Sequence, residues 1–277
     1  MDYIEIIYRL QPETEIAEIL MAHLAEIGFE MFEEKEEGLK AYIPAKEFTA
    51  EIESDLVPHY LQSTIQFTKN FIKHENWNTV WESNFKPEII AEKIYVRADF
   101  HTPQPQYPYE IIIQPKMAFG TGHHPTTALV MEQMLSLDII NKTVLDMGCG
   151  TGILAVLAEK LGAVSILAID NDENAVSNAR ENVIKNSCYK IAAVQGDATT
   201  PGNQMFDVVI ANINRNIILN DLPLYVVGLN AGGDLLLSGF YEKDLAMIQE
   251  CAEKNNLLFQ NQLVKNEWCC AYFKKVK

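Results

Sequence analysis

The run Thr143 to Asp170, T-V-L-D-M-G-C-G-T-G-I-L-A-V-L-A-E-K-L-G-A-V-S-I-L-A-I-D, constrains the fold of this chain more than any other stretch. Val144 and Leu145 form a short apolar strand, and Asp146 begins a turn containing Gly148, Gly150 and Gly152. Ile153 to Leu161 is a run of helix formers ended by Gly162. Ser165 to Ile169 is a second apolar strand with Asp170 at its carboxyl end. This order predicts a β-α-β unit with a nucleotide-sized cleft above it.

The glycine spacing selects the nucleotide. A dinucleotide site wants G-x-G-x-x-G, which here needs glycine at 153, and Ile153 stands there. The spacing present is D-x-G-x-G-x-G. Gly148 and Gly150 let the backbone approach a ligand closely. Asp170 can accept hydrogen bonds from two vicinal ribose hydroxyls. Asp146, ahead of the loop, would suit a cationic ligand and repel a pyrophosphate. The whole pattern resembles motif I of the class I S-adenosylmethionine methyltransferases. The alternative is a tight strand-to-helix turn in an α/β domain without a cofactor.

With 277 residues, 48% of them hydrophobic, the chain has enough apolar surface for one large core or two modest ones. No apolar run approaches the ~20 residues of a membrane span. The start M-D-Y-I-E-I-I-Y lacks the basic residues of a signal peptide. The five cysteines are odd in number and form no C-x-x-C pair, which argues against a disulfide framework or a zinc knuckle. A cytoplasmic protein without metal is expected. Cys149, inside the glycine loop, reads as a small spacer.

Net charge is −16, unevenly spread. Residues 1–55 hold 15 Asp and Glu against 4 Lys and Arg, a balance of −11, leaving −5 for the other 222 residues. So acidic a front would repel a phosphate backbone and attract a basic partner. A merely solubilising face is the alternative.

Residues 2–9 alternate as a half-buried strand, and Glu13 to Phe29 places Ile16, Ile19, Leu20, Leu24 and Ile27 on one helical face. Strands are expected at 29–33, 39–43 and 63–72, with a second helix from Glu47 to Tyr60. The order β-α-β-β-α-β predicts a small ferredoxin-like α+β domain over residues 1–73. No catalytic cluster falls there, so it reads as a binding module. Trp77, Trp81 and Phe85 recur every four residues, which predicts a linker helix over 74–87. Residues 88–277 then form the second domain.

That domain opens with short strands at 94–97 and 110–113 around a proline-rich loop. K-M-A-F-G-T-G-H-H-P-T-T follows at 116–127. Phe119 could lie against a base or a methionyl group, or in the core. Thr126 and Thr127 could cap the next helix or offer hydroxyls to a ligand. Beyond Asp170 a helix starts at Asn171 or Asp172, and Ile191 to Val194 is a third strand. Asp197 ends it, where it could bind an adenine amino group or form a turn. F-D-V-V-I-A at 206–211 is the fourth strand, ending in Asn212-Ile213-Asn214-Arg215. Helices at 216–227 and 242–254 and strands at 234–238, 257–264 and 267–274 complete a seven-stranded Rossmann-like sheet closed by an antiparallel hairpin.

Four segments in order, F-G-T-G-H-H-P-T-T, V-L-D-M-G-C-G-T-G-I-L-A, A-I-D-N-D and V-V-I-A-N-I, resemble the ribosomal protein L11 methyltransferase family. The tryptophan-bearing linker and the small front domain agree. The resemblance implies S-adenosylmethionine as cofactor and N-methylation of lysine and α-amino groups on ribosomal protein L11. It implies a front domain that holds the substrate, and it leaves room for contact with the ribosome. Its binding positions fall on Thr127, Gly148, Asp170 and Asn212. To these the residues themselves add Gly150 and Phe119, and the likeness to related cofactor sites, which bind the adenine amino group at this strand end, adds Asp197.

Many adenine and glutamine N-methyltransferases carry N-P-P-aromatic after the fourth strand. Here the sequence is N-I-N-R, with no aromatic to stack a flipped base, so direct base-specific nucleic-acid binding is not expected. Asn212 is the expected catalytic residue, its side-chain oxygen orienting the amine or the cofactor beside it. Capping of the following helix is its other reading. Methylation of another protein or a small amine, and a cofactor-binding regulator without turnover, are the rival functions.

Overall fold

The computed structural model describes residues 2–10, 14–35, 38–58, 65–72, 86–114 and 120–276. The expected helix over 74–87, with Trp77, Trp81 and Phe85, falls almost wholly outside them, as does Phe119. The chain divides into two compact units, 1–83 and 84–277.

In the first unit the strands are β1 (Tyr3–Arg9), β2 (Met31–Lys35), β3 (Gly38–Pro44) and β4 (Gln66–Ile72). They pair antiparallel in the order β2-β3-β1-β4, the ferredoxin-like arrangement. Alternate residues of β1 and β3 are buried with Leu20 and Leu24 of helix α1 (Thr14–Glu26). Glu5 on β1 crosslinks its neighbours, accepting from Lys40 Nζ and Tyr42 OH at 3.0 Å each and from Asn70 Nδ2 at 2.9 Å. Burial would raise its carboxyl, but these three donors outweigh it and hold it below the usual range.

Helix α2 is shorter than expected, spanning only Ala50–Ser54 behind a Thr49 cap. The residue before a proline is driven out of helical geometry, so Pro58 unwinds the segment ahead of it. Leu56 and Val57 are buried instead, and the Leu56 carbonyl accepts from Tyr8 OH at 2.9 Å.

The second unit begins with a three-stranded sheet, β5 (Glu88–Ile90), β6 (Ile94–Arg97) and β7 (Tyr109–Ile112), and helix α3 (Pro125–Met134). Its main sheet comprises β8 (Thr143–Met147), β9 (Ser165–Asp170), β10 (Ile191–Gln195), β11 (Phe206–Asn212), β12 (Leu229–Tyr241), β13 (Leu257–Lys265) and β14 (Trp268–Lys275). The order is β10-β9-β8-β11-β12-β14-β13, parallel through β12, with β14 antiparallel to both its neighbours. The remaining helices are α4 (Ile153–Lys160), α5 (Glu173–Lys185), α6 (Arg215–Gly228) and α7 (Leu245–Lys254).

Strands β8 and β11 are buried on both faces, hence their continuous apolar runs. One face packs with α3, α4 and α5, the other with α6 and α7. The chain leaves β8 toward β9 on one side and returns through β11 on the other. A crevice therefore opens at the carboxyl ends between β8 and β11, where such sheets bind ligands.

Candidate active site at the carboxyl ends of the central strands

A cavity of about 470 Å³ occupies that crevice. Gly148 and Gly150 form its floor, and Asp170, Asp197 and Asn212 stand on its walls. The glycine loop is tied to β9, for the Ile169 carbonyl accepts from the N–H groups of Gly148 and Cys149 at 2.8 and 2.9 Å. Gly148 has φ +71°, and a Cβ there would lie 2.1 Å from the Ile213 side chain. Gly152, at φ +74°, is the first residue ahead of α4, and a Cβ on it would sit 3.1 Å from Ala179 Cβ. Gly148 is required for conformation and for space, and Gly152 for conformation in a tight fit.

Asp170 Oδ2 accepts from Gly150 N–H at 2.9 Å, and Oδ1 accepts from Asp172 N–H at 3.0 Å. Each oxygen keeps a further lone pair, so the carboxylate is aimed by the loop and can still take two hydroxyl donors. Asp197 holds a turn, its Oδ1 accepting from Thr199 N–H at 2.8 Å and Thr199 Oγ1 at 2.6 Å. Turn formation and cavity lining are thus combined in one residue.

Asp146 departs from expectation. It lies within β8, fully buried, and does not line the cavity. Its Oδ2 accepts from Ala155 N–H at 3.1 Å, so the carboxyl faces the first turn of α4. Burial, with Asp170 nearby, pushes it up to about 7 against the lowering effect of that hydrogen bond.

Thr126 and Thr127 do not cap α3; His124 is the cap, its Nδ1 accepting from Thr126 N–H at 3.4 Å. Burial lowers the His124 pKa, which favours the neutral imidazole. Thr126 lines the cavity, whereas Thr127 is buried behind it. Asn212 is 7% exposed, and its Nδ2 donates to Thr127 Oγ1 at 3.3 Å. Its Oδ1 is buried and has no hydrogen-bond partner. Helix α6 is capped by Asn214, which accepts from Asn216 N–H at 2.9 Å, so Asn212 is not the cap.

The far wall was not read from the sequence. The turn at Asn266 and Glu267, both at positive φ, starts β14 at the carboxyl edge and brings Trp268 opposite Tyr241 of β12. Trp268 lines the cavity. Its ring lies 4.2 Å from Tyr241 and 4.8 Å edge-on from His124, measured between centroids. Ile217, Asp221 and Tyr225 of α6 close another side. Helix period places 217, 221 and 225 on one face, a signal that was available.

The donor set fits S-adenosylmethionine. A glycine floor that tolerates no Cβ at 148, a carboxylate for ribose hydroxyls and a buried amide oxygen without a partner surround a cavity wide enough for a nucleoside. Among the described residues no group of three His, Cys, Asp or Glu could hold a metal ion. Nor is any helix there long and apolar enough to cross a membrane.

The chain as a whole is similar to known proteins. The model of the ribosomal protein L11 methyltransferase (PrmA) family matches residues 13–276. A ribosomal protein L11 methyltransferase of Porphyromonas gingivalis is 46% identical over 92% of this chain and 90% of its own length. That of Bacteroides fragilis is 43% identical over 99% of both chains, and that of Chlorobaculum parvum 33% identical over 98% and 96%. The crystal structure of a ribosomal protein L11 methylase from Lactobacillus delbrueckii subsp. bulgaricus superposes with a TM-score of 0.65 at 28% identity. It covers 70% of this chain and 100% of that one.

Proposed function

Since the chain belongs to the ribosomal protein L11 methyltransferase family, we propose that it methylates lysine or α-amino nitrogens of ribosomal protein L11 with S-adenosylmethionine as donor. The observation that carries this reading is the partnerless Asn212 oxygen at the cavity wall beside the glycine loop. A buried acceptor without a donor is costly, and an incoming N–H would satisfy it.

S-adenosylmethionine supplies a methyl group on a sulfonium, which passes to a nitrogen that has a free lone pair. The protein must therefore present a neutral amine, although a free lysine titrates near 10.4. Ile213, Ile217 and Trp268 make much of the cavity wall apolar. Burial there favours the uncharged amine, and its proton can leave to solvent before transfer.

Asn212 suits this task better than an acid would. An amide oxygen accepts one N–H of the amine and turns the lone pair, whereas a carboxylate at the same place would hold the nitrogen as ammonium. Thr127 fixes the amide, since its hydroxyl takes an Nδ2 hydrogen and leaves the buried oxygen as the acceptor still to be satisfied. Asp170 and the glycine floor hold the nucleoside, with Asp197 reaching its base. Such alignment can lower a transfer barrier by several kcal/mol, roughly 7–11 at most. Trp268, an aromatic in the lining, would suit the cationic sulfonium of the donor or the methylated ammonium of the product.

The acidic front unit is assigned to the basic protein substrate, and the segment over 74–87 to the connection between units. The test is transfer from labelled S-adenosylmethionine to purified L11 of the same organism, read by intact mass and site mapping. Mass gains in single-methyl steps on lysine or the N-terminus are expected. Cofactor binding with no gain on L11 would refute the substrate.

A further inference from the structure

Helix α5 carries asparagines at 178 and 182, and Asn186 is its C-cap, a spacing of four that puts them on one side. Asn182, completely buried, uses its whole amide. Its Oδ1 accepts from the Gln114 N–H at 2.8 Å, and its Nδ2 donates to the Thr151 carbonyl at 2.9 Å and to Asn178 Oδ1 at 3.3 Å. Thr151, itself buried, belongs to the glycine loop, and its hydroxyl donates to the Gly120 carbonyl. One side chain thus joins the end of β7, the glycine loop and, through Thr151, the approach to α3. The helix backs this loop closely at Ala179 and Gly152.

We propose that Asn182 is a positioning residue for the cofactor, holding the Thr151 carbonyl and through it the turn whose Gly148 and Gly150 floor the cavity. This rests on reading the cavity as the S-adenosylmethionine site. The Thr151 carbonyl is shut from water, so without Asn182 it must shift to find another donor, and the glycine floor shifts with it. Asn186, one turn on, provides the contrast. It accepts from Ile112 N–H and donates to the Ile112 and Asn182 carbonyls, holding β7 and its own helix without touching the glycine loop.

The experiment is calorimetric titration of the full chain with S-adenosylhomocysteine, the demethylated form of the donor, alongside melting of the unliganded protein. Asn182→Ala should bind about tenfold more weakly, the loss of one buried hydrogen bond. Asn186→Ala should melt lower yet bind as wild type does. Asn182→Asp retains the acceptor for Gln114 and, once protonated, a donor for Thr151, so its deficit should shrink as pH falls. A merely structural side chain would give no such recovery. Wild-type affinity in Asn182→Ala, or an equal loss in Asn186→Ala, overturns the proposal. Wild-type protein that fails to bind S-adenosylhomocysteine overturns the cofactor reading and this inference together.

Discussion

Asn212 Nδ2 donates to Thr127 Oγ1 at 3.3 Å across 85 positions of sequence, and its Oδ1 is left buried beside the glycine loop with no partner. The pair joins the end of β11 to the first turn of α3. On the proposed mechanism Thr127 stands behind the reacting centre and Asn212 within it. Asn212→Ala should lower kcat on the order of 100-fold, as expected when a positioning contact at a transfer site is lost. Thr127→Val should cost about tenfold, because the amide loses one neutral acceptor but keeps its place. Asn212→Asp should also lose turnover, with the loss easing as pH rises and the amine deprotonates. Single-turnover transfer, with melting to show that each variant is folded, checks the series.

Trp268 is the aromatic face of the cavity, supported by Tyr241 at 4.2 Å. A cation over such a ring gains about 0.5–2 kcal/mol. Trp268→Ala should therefore raise KM for the acceptor several-fold more than it weakens S-adenosylhomocysteine, and Trp268→Phe should recover part of the loss. Equal effects on both ligands would mean that the ring serves the nucleoside instead.

What the sequence made legible was local. The strand-loop-helix at 143–161, the Asp170 strand end and the Asn212 strand end are each set by neighbours a few residues away, so propensity and spacing found them. The α2 boundary failed because two buried residues ahead of Pro58 were worth more in the core than in another helical turn. Adjacency to the glycines predicts Asp146 on the ligand side, although strand alternation turns it beneath α4. Trp268 lies more than a hundred residues from the glycine loop with which it lines the cavity. Only the pairing of Tyr241 with Trp268 brings it there, and a single strand pattern carries no such information.

Asp146 makes stability depend on pH. Its folded carboxyl is pushed up to about 7, chiefly by burial, while an unfolded Asp titrates near 3.9. Folding thus favours the protonated form. That contribution is complete below about pH 4 and is lost as pH rises toward 7, at up to 1.36 kcal/mol per unit. Asp146→Asn cannot ionise, so the difference in stability between variant and wild type should swing toward the variant by a few kcal/mol between about pH 4 and about pH 8. Urea melts across that range measure it, and the subtraction cancels the titrating groups that do not interact with Asp146. A pH-independent difference would mean that the buried carboxyl keeps its charge.

The charge of the front residues bears on the partner. A balance of −11 within residues 1–55 should speed encounter with a basic protein and weaken it as counterions accumulate. Between about 50 and about 500 mM salt the Debye length contracts from roughly 14 to roughly 4 Å, which screens exposed charges but leaves apolar contacts intact. Association of the full chain with L11 should therefore slow at least tenfold over this range, as steering of this kind does. Dissociation should change much less, because it is governed by the contacts already made. Affinity for S-adenosylhomocysteine is the internal control, since its cavity is largely apolar. An L11 on-rate unmoved by salt would place recognition on an apolar face and leave the acidic residues a solubilising role.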